Sequence, residues 1–226
     1  MRIRFLFILI LCSNIVFGQD SKNLEDKDAA YTRTITSRAE KIVNSLSISD
    51  SSKAKQAISI IANQYRDLNT IYTDRDDQLK KIKQQGLTKE ESDTVIKKLE
   101  ASVNNKIEAL HTSFIAKLSS QLTPDQVIKV KDGMTYNVLN VTYTAYVDMI
   151  PDLTKGQKDQ IMAWLVEARE YAMDGESSEK KHWWFGKYKG RINNYLSAQG
   201  YNITKEREEW EKRIKQRQEQ KNQNQS

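Results

Sequence analysis

Apolar residues return at three- and four-residue steps through most of the chain, which is the period of an amphipathic helix. Ile35, Ala39, Ile42, Val43 and Leu46 form the first such stripe. Ser49 or Asp50 can cap a second helix, whose stripe runs Ala54, Ala57, Ile58, Ile61, Tyr65, Leu68, Ile71 or Tyr72, Leu79 and Ile82, with Gly86 as its stop. Thr88 and Glu91 then make a capping box, in which hydroxyl and carboxylate each satisfy an otherwise unpaired backbone N–H. Val95, Leu99, Val103, Ile107, Leu110, Phe114 and Leu118 line the helix that follows. Two proline-free helices of roughly 30 residues, joined at Gln85–Gly86, predict an antiparallel hairpin about 45 Å long.

The second half opens on Leu122-Thr123-Pro124-Asp125-Gln126: Thr caps, Pro fills the first turn and Asp suits the positive end of the helix dipole. Leu153-Thr154-Lys155-Gly156-Gln157 repeats the device. Between them, Leu139, Val141, Tyr143, Ala145, Val147 and Met149 alternate as a strand would, yet Val138, Val141 or Thr142, Ala145 and Met149 also fall at helical steps. No other run resembles a strand, and a lone strand leaves its backbone groups unpaired. The segment Tyr136–Ile150 is therefore expected to be helical, ending before Pro151. A further helix carries Ile161, Trp164, Leu165, Ala168 and Ala172 and closes at Asp174-Gly175; a last compact one starts at Ser177 or Ser178 and runs to about Ser197. The expected fold is all-α: an elongated antiparallel helical hairpin plus compact C-terminal helices, resembling a helical bundle.

Composition changes this picture at the two ends. Arg2 and Arg4 precede an apolar run from Phe5 to Leu11, and Val16-x-Gly18 fits a cleavage site before Gln19, so residues 1–18 read as a secretory signal. That run is too short for a permanent anchor, which takes about 20 residues. Cys12 is the only cysteine and leaves with the signal, so the mature chain has neither disulfide nor thiolate chemistry. The expected organisation is a flexible leader over 19–28, one helical domain over 29–212, and a charged tail over 213–226 that is frayed or disordered. Loss of Arg2 and Arg4 lowers the net charge from +6 to +4. Export makes nucleic acid a poor partner for this mild excess; acidic polysaccharide, an anionic envelope surface or another protein suit it better.

Lys131-Asp132-Gly133-Met134-Thr135-Tyr136, Ile150-Pro151-x-Leu153-Thr154, Ala168-Arg169-Glu170-x-Ala172-Met173-Asp174 and the long block Phe185–Leu196 resemble the bacterial family catalogued as domain of unknown function 3826. The resemblance spans roughly Ala30 to Trp210. It implies an exported protein of the kind found mainly in Bacteroidetes, often near genes for polysaccharide breakdown, and carries no assigned activity. The two Leu-Thr-x-x-Gln turns are also similar to those of small periplasmic stress chaperones built from helical hairpins.

There is no glycine-rich phosphate loop, no cluster of Cys and His for a metal, and nothing that implies a cofactor. His111, beside Leu110 and Phe114, reads as a structural helix-face residue. What stands out is aromatic density: twelve of the sixteen aromatics after residue 18 lie between Tyr136 and Trp210. On the last compact helix Trp184, Tyr188, Ile192 and Tyr195 share a stripe, and Trp183, Lys187, Arg191 and Asn194 project beside it. Gly186 and Gly190 stand one turn apart, suited either to tight helix packing or to ligand access. The candidate ligand-binding residues are His182, Trp183, Lys187, Tyr188, Arg191 and Asn194, supported by Arg169, Glu170 and Asp174. Cations hold a carboxylate while flat rings cover a sugar face, so an acidic saccharide or a partner protein is the expected partner. Glu167, Glu170 and Asp174, spaced three and four apart, are expected to pair with Lys187, Lys189 or Arg191. Three functions fit: a non-catalytic binding or accessory protein in glycan use, a chaperone-like helical protein, or an enzyme on acidic glycans with His182, Tyr188 or Glu170 moving the proton.

Overall fold

The computed structural model describes residues 17–223, with side chains described from Asp26 onward. Nearly all of the predicted signal, including Cys12, lies outside the described residues. Within them the chain is all-α, with helices α1 (Phe17–Asn44), α2 (Ser51–Gln84), α3 (Lys89–Ser119), α4 (Pro124–Met134), α5 (Val138–Met149), α6 (Lys155–Met173), α7 (Ser178–Ala198) and α8 (Ile203–Gln223). No helix among the described residues is long and apolar enough to cross a membrane.

Local chemistry sets the boundaries. Asp50 accepts from the N–H groups of Ser52 and Lys53 and starts α2. Thr88, Thr123 and Thr154 each form a complete capping box, with Glu91, Gln126 and Gln157 respectively. Gly86, at φ +64°, turns α2 into α3 in the left-handed conformation that glycine adopts without a Cβ clash. Tyr136 and Asn137 both sit at φ 57°, which breaks the helical path between α4 and α5. For an aromatic residue that conformation is unusual and costs on the order of 1–3 kcal/mol. The alternating segment is thus helical from Val138, and its first two residues form the bend.

Two apolar cores result. In the first, Ile35, Ala39 and Ile42 of α1 meet Ala57 and Ile61 of α2, Phe114 and Leu118 of α3, and Val127 and Val130 of α4. The expected α2–α3 hairpin therefore has α1 packed along α2. The second core joins Leu139 and Tyr146 of α5, Ile161, Leu165 and Ala168 of α6, and Phe185, Ile192 and Leu196 of α7.

The two ends of the described chain are also helical. Residues 19–28, expected as a leader, are the first turns of α1, and nothing in Gln19–Asp28 interrupts a helix fixed by the Ile35–Leu46 stripe. The tail continues as helix to Gln223. Asp148 on α5 holds it, accepting from Trp210 Nε1 at 2.6 Å and from Arg217 at 2.7 Å, while Arg213 donates to the carbonyls of Asp148 and Met149. Polar anchoring replaces the missing apolar stripe.

Candidate functional site

Helices α6 and α7 turn back on each other through Gly175–Ser177, and their solvent side carries a strip of rings and cations. Tyr171 stacks on Trp184 with centroids 4.6 Å apart, and Trp183 meets Trp184 edge-on at 5.0 Å. Further along, Trp164 meets Tyr195 edge-on at 5.2 Å. Each cation of this face sits over a ring: Lys180 at 4.4 Å from Trp183, Lys187 at 5.0 Å from Trp184, Arg191 at 4.6 Å from Trp164. Trp183 and Tyr171 are half-exposed, at 50% and 49%. Trp184, the ring between them, packs against the second core.

Of the residues expected here, Trp183, Lys187 and Arg191 come together on the strip. Asn194 is exposed on α7 but makes none of these contacts. Tyr188 is buried beneath the strip; burial first, then its hydrogen bond to Glu167, pushes its hydroxyl well above the usual tyrosine range. His182 lies apart, edge-on to Tyr136 at 5.6 Å. Trp164 and Tyr171, supplied by α6, complete the strip although the sequence reading did not place them there. Their seven-residue spacing was the available signal.

Gly186 and Gly190 do not serve tight packing. A Cβ at either would meet nothing within 4 Å. They open instead on a groove of about 580 Å³ between α5, α7 and α8, with Tyr146, Arg207 and Trp210 on its other walls.

The acidic run on α6 also has partners other than those expected. Only Glu167 faces α7, 3.5 Å from Arg191. Glu170 pairs with Lys131 at 2.7 Å and Arg169 at 3.2 Å, and Asp174 with His111 Nδ1 at 2.7 Å. Arg169 is itself buried and reaches Asp132 at 2.8 Å. Gln64 donates to the second oxygen of Asp174, and the Tyr72 hydroxyl to its carbonyl. Arg169, Glu170 and Asp174 thus belong to a polar junction that ties α6 to α2, α3 and α4, and do not support the strip. They face these helices because α6 is wedged between two neighbours, and spacing along one helix does not say which neighbour a face meets. His111 has both ring nitrogens turned to carboxylates, Nε2 lying 3.6 Å from Glu170. The hydrogen bond to Asp174 raises its pKa above the usual imidazole range.

Lys181 completes this region. Its ammonium donates to the carbonyls of Met134 and Met173, the last residues of α4 and α6, at 3.2 and 2.9 Å. Two negative helix ends share one cation, which is why a lysine is tolerated at 6% exposure. Burial still lowers its pKa to about 8. Gly175 allows this approach, since a Cβ there would stand 3.1 Å from Lys181 Cγ.

No grouping of three or more His, Asp or Glu able to hold a metal occurs among the described residues. A family model described as a protein of unknown function, DUF3826, matches residues 32–216. The chain belongs to this family. No curated protein matches it.

Proposed function

We propose that the protein is an exported, non-catalytic binding protein that holds acidic polysaccharide on the α6–α7 face. The observation that carries this reading is the strip itself: half-exposed Trp183 and Tyr171 with Lys180, Lys187 and Arg191 stacked over neighbouring rings. Rings offer the apolar face of a sugar a flat platform. The cations meet carboxylates along the chain, and a solvent-facing strip suits a polymer better than a small molecule. Nothing near it provides an acid and a base across a scissile bond, since Glu167 is engaged by Arg191 and Tyr188 holds its proton. Export rests on the charged n-region, the short apolar run and the Val16-x-Gly18 site.

The test is affinity electrophoresis and calorimetry of the mature chain with polygalacturonate, a sulfated glycosaminoglycan and neutral pullulan. Retardation by an acidic polymer, absent with pullulan and lost in Trp183→Ala at an unchanged melting temperature, is expected. Equal retardation of wild type and Trp183→Ala, or none by any acidic polymer, overturns the assignment. Fractionation should place the chain outside the cytoplasm with Gln19 as its N-terminus.

A further inference from the structure

A second feature stands away from the strip. A cleft of about 400 Å³ opens between α1, α2 and the α6–α7 corner, the lower end of the range for pockets that take small ligands. Its walls bring together three cations, Arg38, Lys41 and Lys181. Among the described residues neither Arg38 nor Lys41 has a carboxylate partner. Arg38 lies near enough to Lys181 for its charge to disfavour the protonated lysine, as does burial to a larger extent. The acidic residue on the wall, Glu176, is already bound to Arg75 at 2.5 Å. Asp174, the other carboxylate near Lys181, is held by His111 and Gln64. The cleft is therefore a concave, like-charged site whose nearby acids are taken.

Its remaining surface is aromatic and hydroxylic. Tyr31, Tyr65, Tyr72 and Tyr136 line it. The hydroxyls of Tyr31 and Tyr72 donate to the carbonyls of Tyr65 and Asp174, and so retain acceptor capacity. The strained left-handed backbone at Tyr136 puts that ring on the cleft wall, with His182 edge-on behind it. Asn69, Ser177 and Ser178 add neutral polar groups beside the start of α7. The cleft thus combines cations, flat rings and neutral hydrogen-bonding groups, the chemistry that an anion carried on a hydroxylated ring requires.

We infer that this cleft binds a small ring-bearing anion, a sugar carboxylate or sugar phosphate, with Arg38 and Lys41 on the charged group and the tyrosine rings against the sugar. The site is independent of the polymer-binding strip, because Trp183, Lys187 and Arg191 are not among its walls.

Calorimetric titration of the mature chain with glucuronate, glucose 6-phosphate, glucose and inorganic phosphate tests it. Saturable binding of glucuronate or glucose 6-phosphate, at least tenfold tighter than glucose and inorganic phosphate, is expected; which of the two binds identifies the charged group. Arg38 is exposed, so Arg38→Glu should fold as wild type by circular dichroism and lose at least tenfold in affinity. Trp183→Ala should bind the small anion as wild type does even where it has lost the polymer. Absence of binding by both ring anions, an unchanged affinity in Arg38→Glu, or inorganic phosphate binding as tightly as glucose 6-phosphate each overturns the assignment.

Discussion

Nδ1 of His111 lies 2.7 Å from Oδ2 of Asp174, a contact between the long hairpin and the end of α6 across 63 residues of sequence. Asp174 caps the C-terminus of α6, where a carboxylate meets the negative end of the helix dipole, and the imidazolium offsets that repulsion. The hydrogen bond raises the His111 pKa above 6.5. A raised folded-state value means that the stabilisation is complete below pH about 6.5 and is lost as pH rises through the folded pKa. Melting temperature of the wild type should therefore fall as pH rises from about 6.5 through the folded pKa. His111→Gln should abolish that slope and lower stability at pH 6 by about 1–3 kcal/mol.

Lys181 carries the opposite dependence. Its folded pKa of about 8 lies below the 10.5 of a free lysine, so between these values the unfolded chain binds the extra proton and stability rises with pH. Against a Lys181→Met variant, the wild type should gain up to ~3 kcal/mol across that window. Above pH 10 the gain is opposed. Burial holds Tyr65, Tyr72 and Tyr146 up to about 12, so the unfolded chain loses those protons first. Urea midpoints at pH 7.5, 9 and 10 read the difference.

Arg169 and Arg191 should separate sharply. Arg169 is buried against Asp132 and Glu170, and truncation leaves those carboxylates without it. Arg169→Ala is expected to destabilise by roughly 3–5 kcal/mol. Arg191 and Glu167 are both about half-exposed and 3.5 Å apart, and Arg191→Ala should change stability by near zero to about 1 kcal/mol. Denaturant titration of both variants checks the contrast.

Gly186→Ala and Gly190→Ala should each raise stability by about 1 kcal/mol, because the helix gains propensity and the new methyl meets nothing within 4 Å. Gly133→Ala should do the reverse, since its Cβ would come within 2.9 Å of Ile42 Cγ1. Thermal melts of the three single variants decide it.

The helices were legible because their signals are local. Stripes such as Ile35–Leu46 fixed the periodicity, and Thr88, Thr123 and Thr154 marked starts that the structure confirms as capping boxes. Trp183, Lys187 and Arg191 were legible as one face of α7 for the same reason. What pairs with what was not. Glu170 and Asp174 share a face with Glu167, but tertiary packing turns them toward Lys131 and His111. The cleft was not legible because Tyr31 on α1 and Tyr65 and Tyr72 on α2 meet only when α1 packs along α2, which local periodicity does not specify. Tyr65 and Tyr72 are seven residues apart on one helix, as are Trp164 and Tyr171, and that interval puts each pair on one helix face.

The two apolar cores meet across a layer of charge rather than a continuous oily interior, with Met173 of α6 seated in the first core. Met173 and the ion pairs of Arg169, Lys131 and His111 with their carboxylates therefore share the adhesion between them. Such an arrangement predicts that the charged layer opens before either core does. Salt and pH act on the joint before they act on either half, so amides around Asp132 and Asp174 exchange with solvent at lower free energy than those beside Phe114 or Ile192.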